Sequence, residues 1–414
     1  MRSHSVISRR SFMRVAGTAA AAVPVLGQSS GVWAATAAAA ARDDRADPEQ
    51  AARYRDPNAV IISGNENPLG PSAPALAAMT AAATQGGRYH HESKTEVVDA
   101  FSKTFGLKKG YVSMWPGSGP PLSLALKSHL SPEKPLVAAD PSYEQGPRAA
   151  QAMNAKVYSV PLTASGAHDV RKMVAATASP GVYYVVNPNN PTGTMTKRED
   201  ILWLLKNKAP GSIVIVDEAY HHFSNDESVI DQVVADQDLI VTRTFSKIYG
   251  MAGLRAGFLI AKPELQAKLA ALGPAVTVNG ASDVSMATAH ACLASVTDPE
   301  LIPTRRKINA DIRAATLEWL EKGGYKYYPG SQANFFMVDV KRPGRQFAAL
   351  MQKEDVYIGR TWPSMPTWVR VTVGTAPEMK KFQAAFAKVY NTAPAEAHLD
   401  LPYTAPSELT YLYA

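Results

Sequence analysis

Short apolar runs recur along the chain, and almost every one ends in a polar motif. Runs at 111–115, 136–139, 157–160, 181–186, 212–216, 239–242 and 258–261 are apolar at successive positions rather than alternating. A strand reads this way when both of its faces are covered. Between them lie stretches of helical period. One spans 93–107, with Val97, Val98, Phe101 and Phe105 on one side, and others span 122–130 and 201–206. Strands alternating with helices predict an α/β fold with a mostly parallel sheet flanked by helices. Beyond residue 301 the pattern changes. A long helix at 305–322 is followed by a strand at 334–340, a helix at 344–354, strands at 356–358 and 368–373, and a helix near 377–390. This predicts a smaller α+β domain at 305–393 beside a large domain at 85–304, with residues 57–84 joining the smaller one.

In a parallel sheet of this kind, ligands sit beyond the carboxyl ends of the strands. The motifs PGSG, DPSY, NPNNPTG, DEAY and RTFSK all fall at or just past such ends, so they converge on one edge. The last is the most informative. Thr244 and Ser246 precede Lys247 closely, and Arg255 follows a Gly-containing bend. That order suits a lysine holding a phosphorylated aldehyde as a Schiff base, with hydroxyls and a guanidinium on the phosphate. Gly117-Ser118-Gly119 offers backbone N–H groups at a helix start, a second anion cradle. Asp217, at a strand end, can cap the following helix.

The chain has 414 residues, 46% of them hydrophobic, and a single cysteine, Cys292, so an intrachain disulfide is excluded. The net charge of +7 is misleading. Four arginines and no acid lie in residues 1–34, which leaves +3 for the remainder and no Lys/Arg run, so nucleic acid is not an expected partner. Residues 1–34 carry Arg9-Arg10, then an Ala-rich apolar stretch from 15 to 26, then small residues. Charged start, apolar middle and small-residue end predict a signal peptide, and the paired arginines before Phe12 resemble a twin-arginine export signal. Translocation by that machinery and a periplasmic or secreted mature protein follow as expectations. Residues 35–56 are expected to be a flexible lead-in, and 394–414 a tail with no functional reading. His90-His91 and His221-His222 are adjacent pairs, and no metal site is expected from them.

YVVNPNNPTG (184–193) and VDEAY (216–220), with the lysine loop, resemble fold-type I pyridoxal-phosphate aminotransferases. ISGNENPLGP (62–71) is similar to the N-terminal signature of the histidinol-phosphate aminotransferase branch. The resemblance covers about residues 55–392. It implies pyridoxal 5'-phosphate as cofactor, with Lys247 bonded to it and acting as general base. It implies Asp217 at the ring nitrogen, and Tyr220 and Asn190 at the phenolic oxygen. Tyr143 would stack on the ring, and Ser118, Gly119, Thr244, Ser246 and Arg255 would hold the phosphate. Tyr89 would reach the cofactor phosphate of a second copy in a homodimer. Arg370 would clamp the substrate α-carboxylate, with Arg360, Asn334 and Asn67 nearby. Pro120 and Pro121 stand where relatives carry acidic or polar residues. The implied reaction is ping-pong transfer of an amino group between an amino acid, or an amino-alcohol phosphate, and a 2-oxo acid. An oxidase, decarboxylase, lyase or racemase built on the same contacts, or a non-catalytic binding protein, are the alternatives.

Overall fold

The computed structural model describes residues 56, 58–90, 92–272, 276–277, 280–281 and 284–392. The expected export signal at 1–34, residues 35–55 of the lead-in, and the tail from 394 lie outside the described residues.

The strands in chain order are β1 (Val60–Ile62), β2 (Val112–Trp115), β3 (Leu136–Asp140), β4 (Val157–Pro161), β5 (Val182–Val186), β6 (Ile213–Asp217), β7 (Leu239–Thr244), β8 (Gly257–Ala261), β9 (Val276–Thr277), β10 (Gly280–Ala281), β11 (Phe335–Asp339), β12 (Val356–Ile358) and β13 (Trp368–Thr372). Among the described residues the main sheet has the order β4-β3-β5-β6-β7-β8-β2-β10-β9. Its pairs are parallel from β4 through β7, and β8 runs antiparallel to both its neighbours. Each central strand is buried along its whole length, because alternate side chains enter different cores. Val214 and Val216 point into one, with Tyr183, Val185 and Val241. Ile213 and Ile215 point into the other, with Val182, Tyr184 and Ile240.

The smaller unit has its own core around Phe336, Val338, Phe347, Val369, Phe382 and Phe386. There β11 pairs antiparallel with β13, and β1 pairs in parallel with β12. The segment preceding the large domain therefore divides. Strand β1 belongs to the small domain's core, whereas the helix Ala73–Ala83 packs on the large domain's helix Met286–Val296. That second helix gives little signal in the sequence, because its buried face is small residues such as Ala289 and Cys292 and its contrast between faces is weak. Cys292 is fully buried, and burial pushes its thiol pKa up.

Candidate active site

The site lies at the carboxyl ends of β2, β3, β5, β6 and β7. Asp217 is the last residue of β6 and is 4% exposed. Its Oδ1 accepts from Thr242 Oγ1 at 3.0 Å and from the Ala219 N–H at 3.1 Å, and its Oδ2 accepts from Tyr184 Oη at 3.2 Å. Thr242 is its register partner on β7. Burial pushes the Asp217 pKa above the usual carboxylate range, and these three donors only partly offset it. Among the described residues no Lys or Arg pairs with it. The neighbouring Glu218 differs. Burial is the largest influence and works against its charge, but Arg243, with Nη2 and Nε at 2.6 and 2.7 Å from Oε2, acts together with His221, the Ser228 hydroxyl and the Val229 N–H to hold its pKa down.

Lys247 follows β7 by three residues. Its Nζ donates to the Gly64 carbonyl at 3.4 Å and lies 5.6 Å from the centre of the Tyr220 ring. Thr244 and Ser246 fold onto each other, Oγ1 donating to Oγ at 3.0 Å, and Arg255 Nη1 donates to Ser246 Oγ at 3.4 Å. Arg255 takes a left-handed conformation, φ 52°, closing the short turn Ala252–Leu254. Its guanidinium lies against Gly117, φ +90°, where a Cβ would collide with it. Gly257 completes the cradle, since a Cβ there would stand 2.6 Å from the Ser118 nitrogen. Helix Gly119–Lys127 starts at this turn, and Ser118 makes no side-chain cap bond. Pro120 and Pro121 contribute no N–H, so the Ser118 and Gly119 amides are the donors at this helix start.

Arg370, on β13, is 4% exposed. It donates from Nη1 to Asn190 Oδ1 and from Nη2 to the Ser63 carbonyl, both at 2.8 Å. Burial, with Arg360 nearby, lowers its pKa to about 10. Asn334 donates to the carbonyls of Asn65 and Glu66 at 3.1 and 3.2 Å. Tyr143 is close enough to Tyr220, Asp217 and Arg360 to feel their charges, and burial raises its phenol pKa. Arg360 Nη2 lies 3.0 Å from Glu144 Oε2.

Asn67 adjoins the lysine loop. Its Nδ2 donates to the Ile248 carbonyl and its Oδ1 accepts from the Leu69 N–H, so it ties the N-terminal strap to that loop. Asn65 meets Tyr220. It is 1% exposed, with φ 53°, and its Nδ2 donates to Tyr220 Oη at 3.1 Å. Both lie in one motif, and local spacing does not separate them. Tyr89 is 91% exposed, between two helices. Thr242, Tyr184, Asn65, Glu144 and Trp362 are absent from the sequence expectations. The available signal was a polar residue inside an apolar strand for Thr242 and Tyr184.

The residues fit pyridoxal phosphate. A buried carboxylate without a cation suits a protonated ring nitrogen. A turn of backbone amides, hydroxyls and a guanidinium, shaped so that a Cβ would fill it, suits a phosphate.

The sequence profile of the class I and II aminotransferases matches residues 25–386, and the chain belongs to that family. It is a pyridoxal-phosphate-dependent aminotransferase, an enzyme of small-molecule substrates. It is 31% identical to a histidinol-phosphate aminotransferase of Moorella thermoacetica over 80% of this chain and 85% of that one. It is 33% identical to one of Symbiobacterium thermophilum over 79% and 89%. In three dimensions it is similar to a histidinol-phosphate aminotransferase from Sinorhizobium meliloti in complex with pyridoxal-5'-phosphate, with TM-score 0.73, 20% identity, and 84% and 96% of the two chains covered. The shared architecture is fold-type I.

Proposed function

We propose an exported aminotransferase that works by a ping-pong route, with one site serving an amino donor and then a 2-oxo acid. The observation that carries the site assignment is Asp217, buried, bonded by three neutral donors and lacking a cation. When bound, pyridoxal phosphate supplies an aldehyde that accepts the amino group and a ring that withdraws electrons.

Lys247 would hold the aldehyde, and its Nζ, when not so engaged, would remove and return the α-proton. Asp217 keeps the ring nitrogen protonated, because a cation beside it relieves the cost of burying its charge. Tyr220 and Asn190 would hold the phenolic oxygen, and Asn65 fixes the Tyr220 hydroxyl. Tyr143 would pack against the ring, and Ser118, Gly119, Thr244, Ser246 and Arg255 would bind the phosphate. Arg370 would take the α-carboxylate of an α-amino acid or a 2-oxo acid, with Asn334 bracing the adjoining strap. Burial of these groups excludes water, so each charge acts in a low dielectric.

Two further parts rest on other observations. The Arg9-Arg10 segment supports twin-arginine export to the periplasm or beyond. Exposed Leu69, Leu76 and Tyr89 on the N-terminal side support a homodimer in which Tyr89 completes the neighbour's phosphate site. The named relatives act on histidinol phosphate, which makes an amino-alcohol phosphate one donor class, and α-amino acids the other.

The test is the visible spectrum of the purified protein beside Lys247→Ala, with and without amino acids. The expected result is a yellow absorbance that the variant lacks and that certain donors bleach only when keto acid is withheld. Absence of any chromophore after adding pyridoxal phosphate would sink the assignment.

A further inference from the structure

An ionised carboxylate offers about four acceptor positions, two on each oxygen. The fold itself fills three of those on Asp217. Among the described residues, Oδ1 carries the Thr242 hydroxyl and the Ala219 N–H, and Oδ2 carries the Tyr184 hydroxyl alone. One position on Oδ2 is left for a further donor.

The strands account for this arrangement. Asp217 pairs with Thr242 on β7 and with Val186 on β5, and Tyr184 stands two residues back from Val186 on the same face. The Tyr184 side chain is long enough to cover that diagonal, and it is fully buried. Gly146, in the helix Gln145–Ala152, makes room for its ring, since a Cβ there would stand 2.7 Å from Tyr184 Cδ1. The hydroxyl is fixed as a donor. Burial, and after it the Asp217 charge, push its pKa well above the usual tyrosine range, so it keeps its proton.

From this geometry we infer that Oδ2 of Asp217 is the atom that meets the cofactor's ring nitrogen, and that Tyr184 is a positioning residue that aims this oxygen and sets how the proton is shared between oxygen and ring. The inference rests on the placement of Asp217 at the ring nitrogen proposed above. It extends that placement to one oxygen and to a residue that acts only through Asp217.

The reason is basicity. A hydrogen bond to a carboxylate favours its charged form. Tyr184 donates to the oxygen that shares the proton, so Oδ2 is a poorer base and the proton stays on the nitrogen. Without the hydroxyl, burial acts on Asp217 with one fewer donor to oppose it, and Oδ2 draws the proton towards itself. A ring that gives up its proton withdraws electrons less well.

The experiment uses the full chain loaded with pyridoxal phosphate isotopically labelled at the ring nitrogen, as wild type, Tyr184→Phe and Asp217→Asn. The nitrogen NMR resonance reports where the proton lies. Asp217→Asn should move it to the position of an unprotonated ring, and Tyr184→Phe should move it part of the way. Half-reaction rates of Tyr184→Phe should fall by about tenfold, as when an outer partner of a ligand is removed elsewhere. KM for the donor should stay as in the wild type, because Tyr184 does not hold the donor. Replacing Tyr184 with a ring-fluorinated tyrosine keeps its shape and makes the hydroxyl a stronger donor, so the resonance should move the opposite way.

A resonance that Asp217→Asn moves and Tyr184→Phe leaves in place overturns the inference. A resonance that neither variant moves shows that Asp217 is not at the ring nitrogen, and the site assignment falls with it. Should Tyr184→Phe not fold, the fluorinated protein decides alone. A shift away from the Asp217→Asn position supports the inference, and a shift towards it, or none, refutes it.

Discussion

Arg370 donates from Nη1 to Asn190 Oδ1 at 2.8 Å, so the residue proposed to hold the substrate carboxylate is tied to the residue proposed at the cofactor's phenolic oxygen. The pair joins β13 of the small domain to the loop after β5 of the large one. Carboxylate binding and the setting of Asn190 are therefore coupled through one buried bond.

Arg370→Lys tests that coupling. An ammonium cannot make the paired bonds of a guanidinium or reach Asn190 and Ser63 together. KM for α-amino acid donors should rise by roughly tenfold to a hundredfold, since bonds to charged groups contribute about 1.5–3 kcal/mol. Steady-state kinetics with the best donor checks this, and an unchanged KM would remove Arg370 from the site.

Asp217→Asn separates chemistry from stability. Half-reaction rates should fall by about a hundredfold, as when one preorganised electrostatic partner is removed elsewhere. Burial raises the Asp217 pKa, so its charge costs the cofactor-free fold stability that the neutral amide does not. Calorimetric melting of the cofactor-free variant should therefore give a midpoint at or above that of the wild type. A marked fall would mean that Asp217 is a structural cap.

Gly257→Ala places a methyl group 2.6 Å from the Ser118 nitrogen and 2.7 Å from the Gly117 carbonyl carbon, both backbone. Such overpacking costs about 1–3 kcal/mol. The displaced turn should weaken pyridoxal phosphate binding by about tenfold or more, read by absorbance titration. An unaltered affinity would show that this turn does not carry the phosphate.

The pH dependence of stability has a defined sign. His168 is buried, and burial lowers its pKa from 6.5 to about 4. Unfolding exposes an imidazole that binds a proton below pH 6.5. The contribution of His168 is thus fully present above pH 6.5 and is lost as the pH falls towards 4, at most about 3 kcal/mol in all. His168→Gln should flatten the acid limb of a plot of melting temperature against pH. Parallel limbs would refute the assignment.

Export is tested at Arg9 and Arg10. Changing both to Lys should strand the precursor in the cytoplasm, as judged by fractionation and by the size of the chain. Secretion of the double variant at the normal level would exclude the twin-arginine route.

The sequence by itself determined the class of fold and the residues that sit at strand ends. Both depend on neighbours in the chain. Unbroken apolar runs need cover on two faces, and a motif next to a strand must emerge at that strand's end. Lys247, Asp217, Asn190 and Ser118 were legible for this reason. Only the tertiary structure decided which side chains meet across long separations. Asn65 rather than Asn67 bonds Tyr220 because a left-handed turn and the Thr372 hydroxyl orient it. Arg360 meets Glu144 because β12 and β13 bring the small domain over the loop after β3. The helix at 286–296 was missed because small buried residues carry almost no contrast between faces. Pairings of this kind depend on how two cores pack together, and local periodicity carries no information about that.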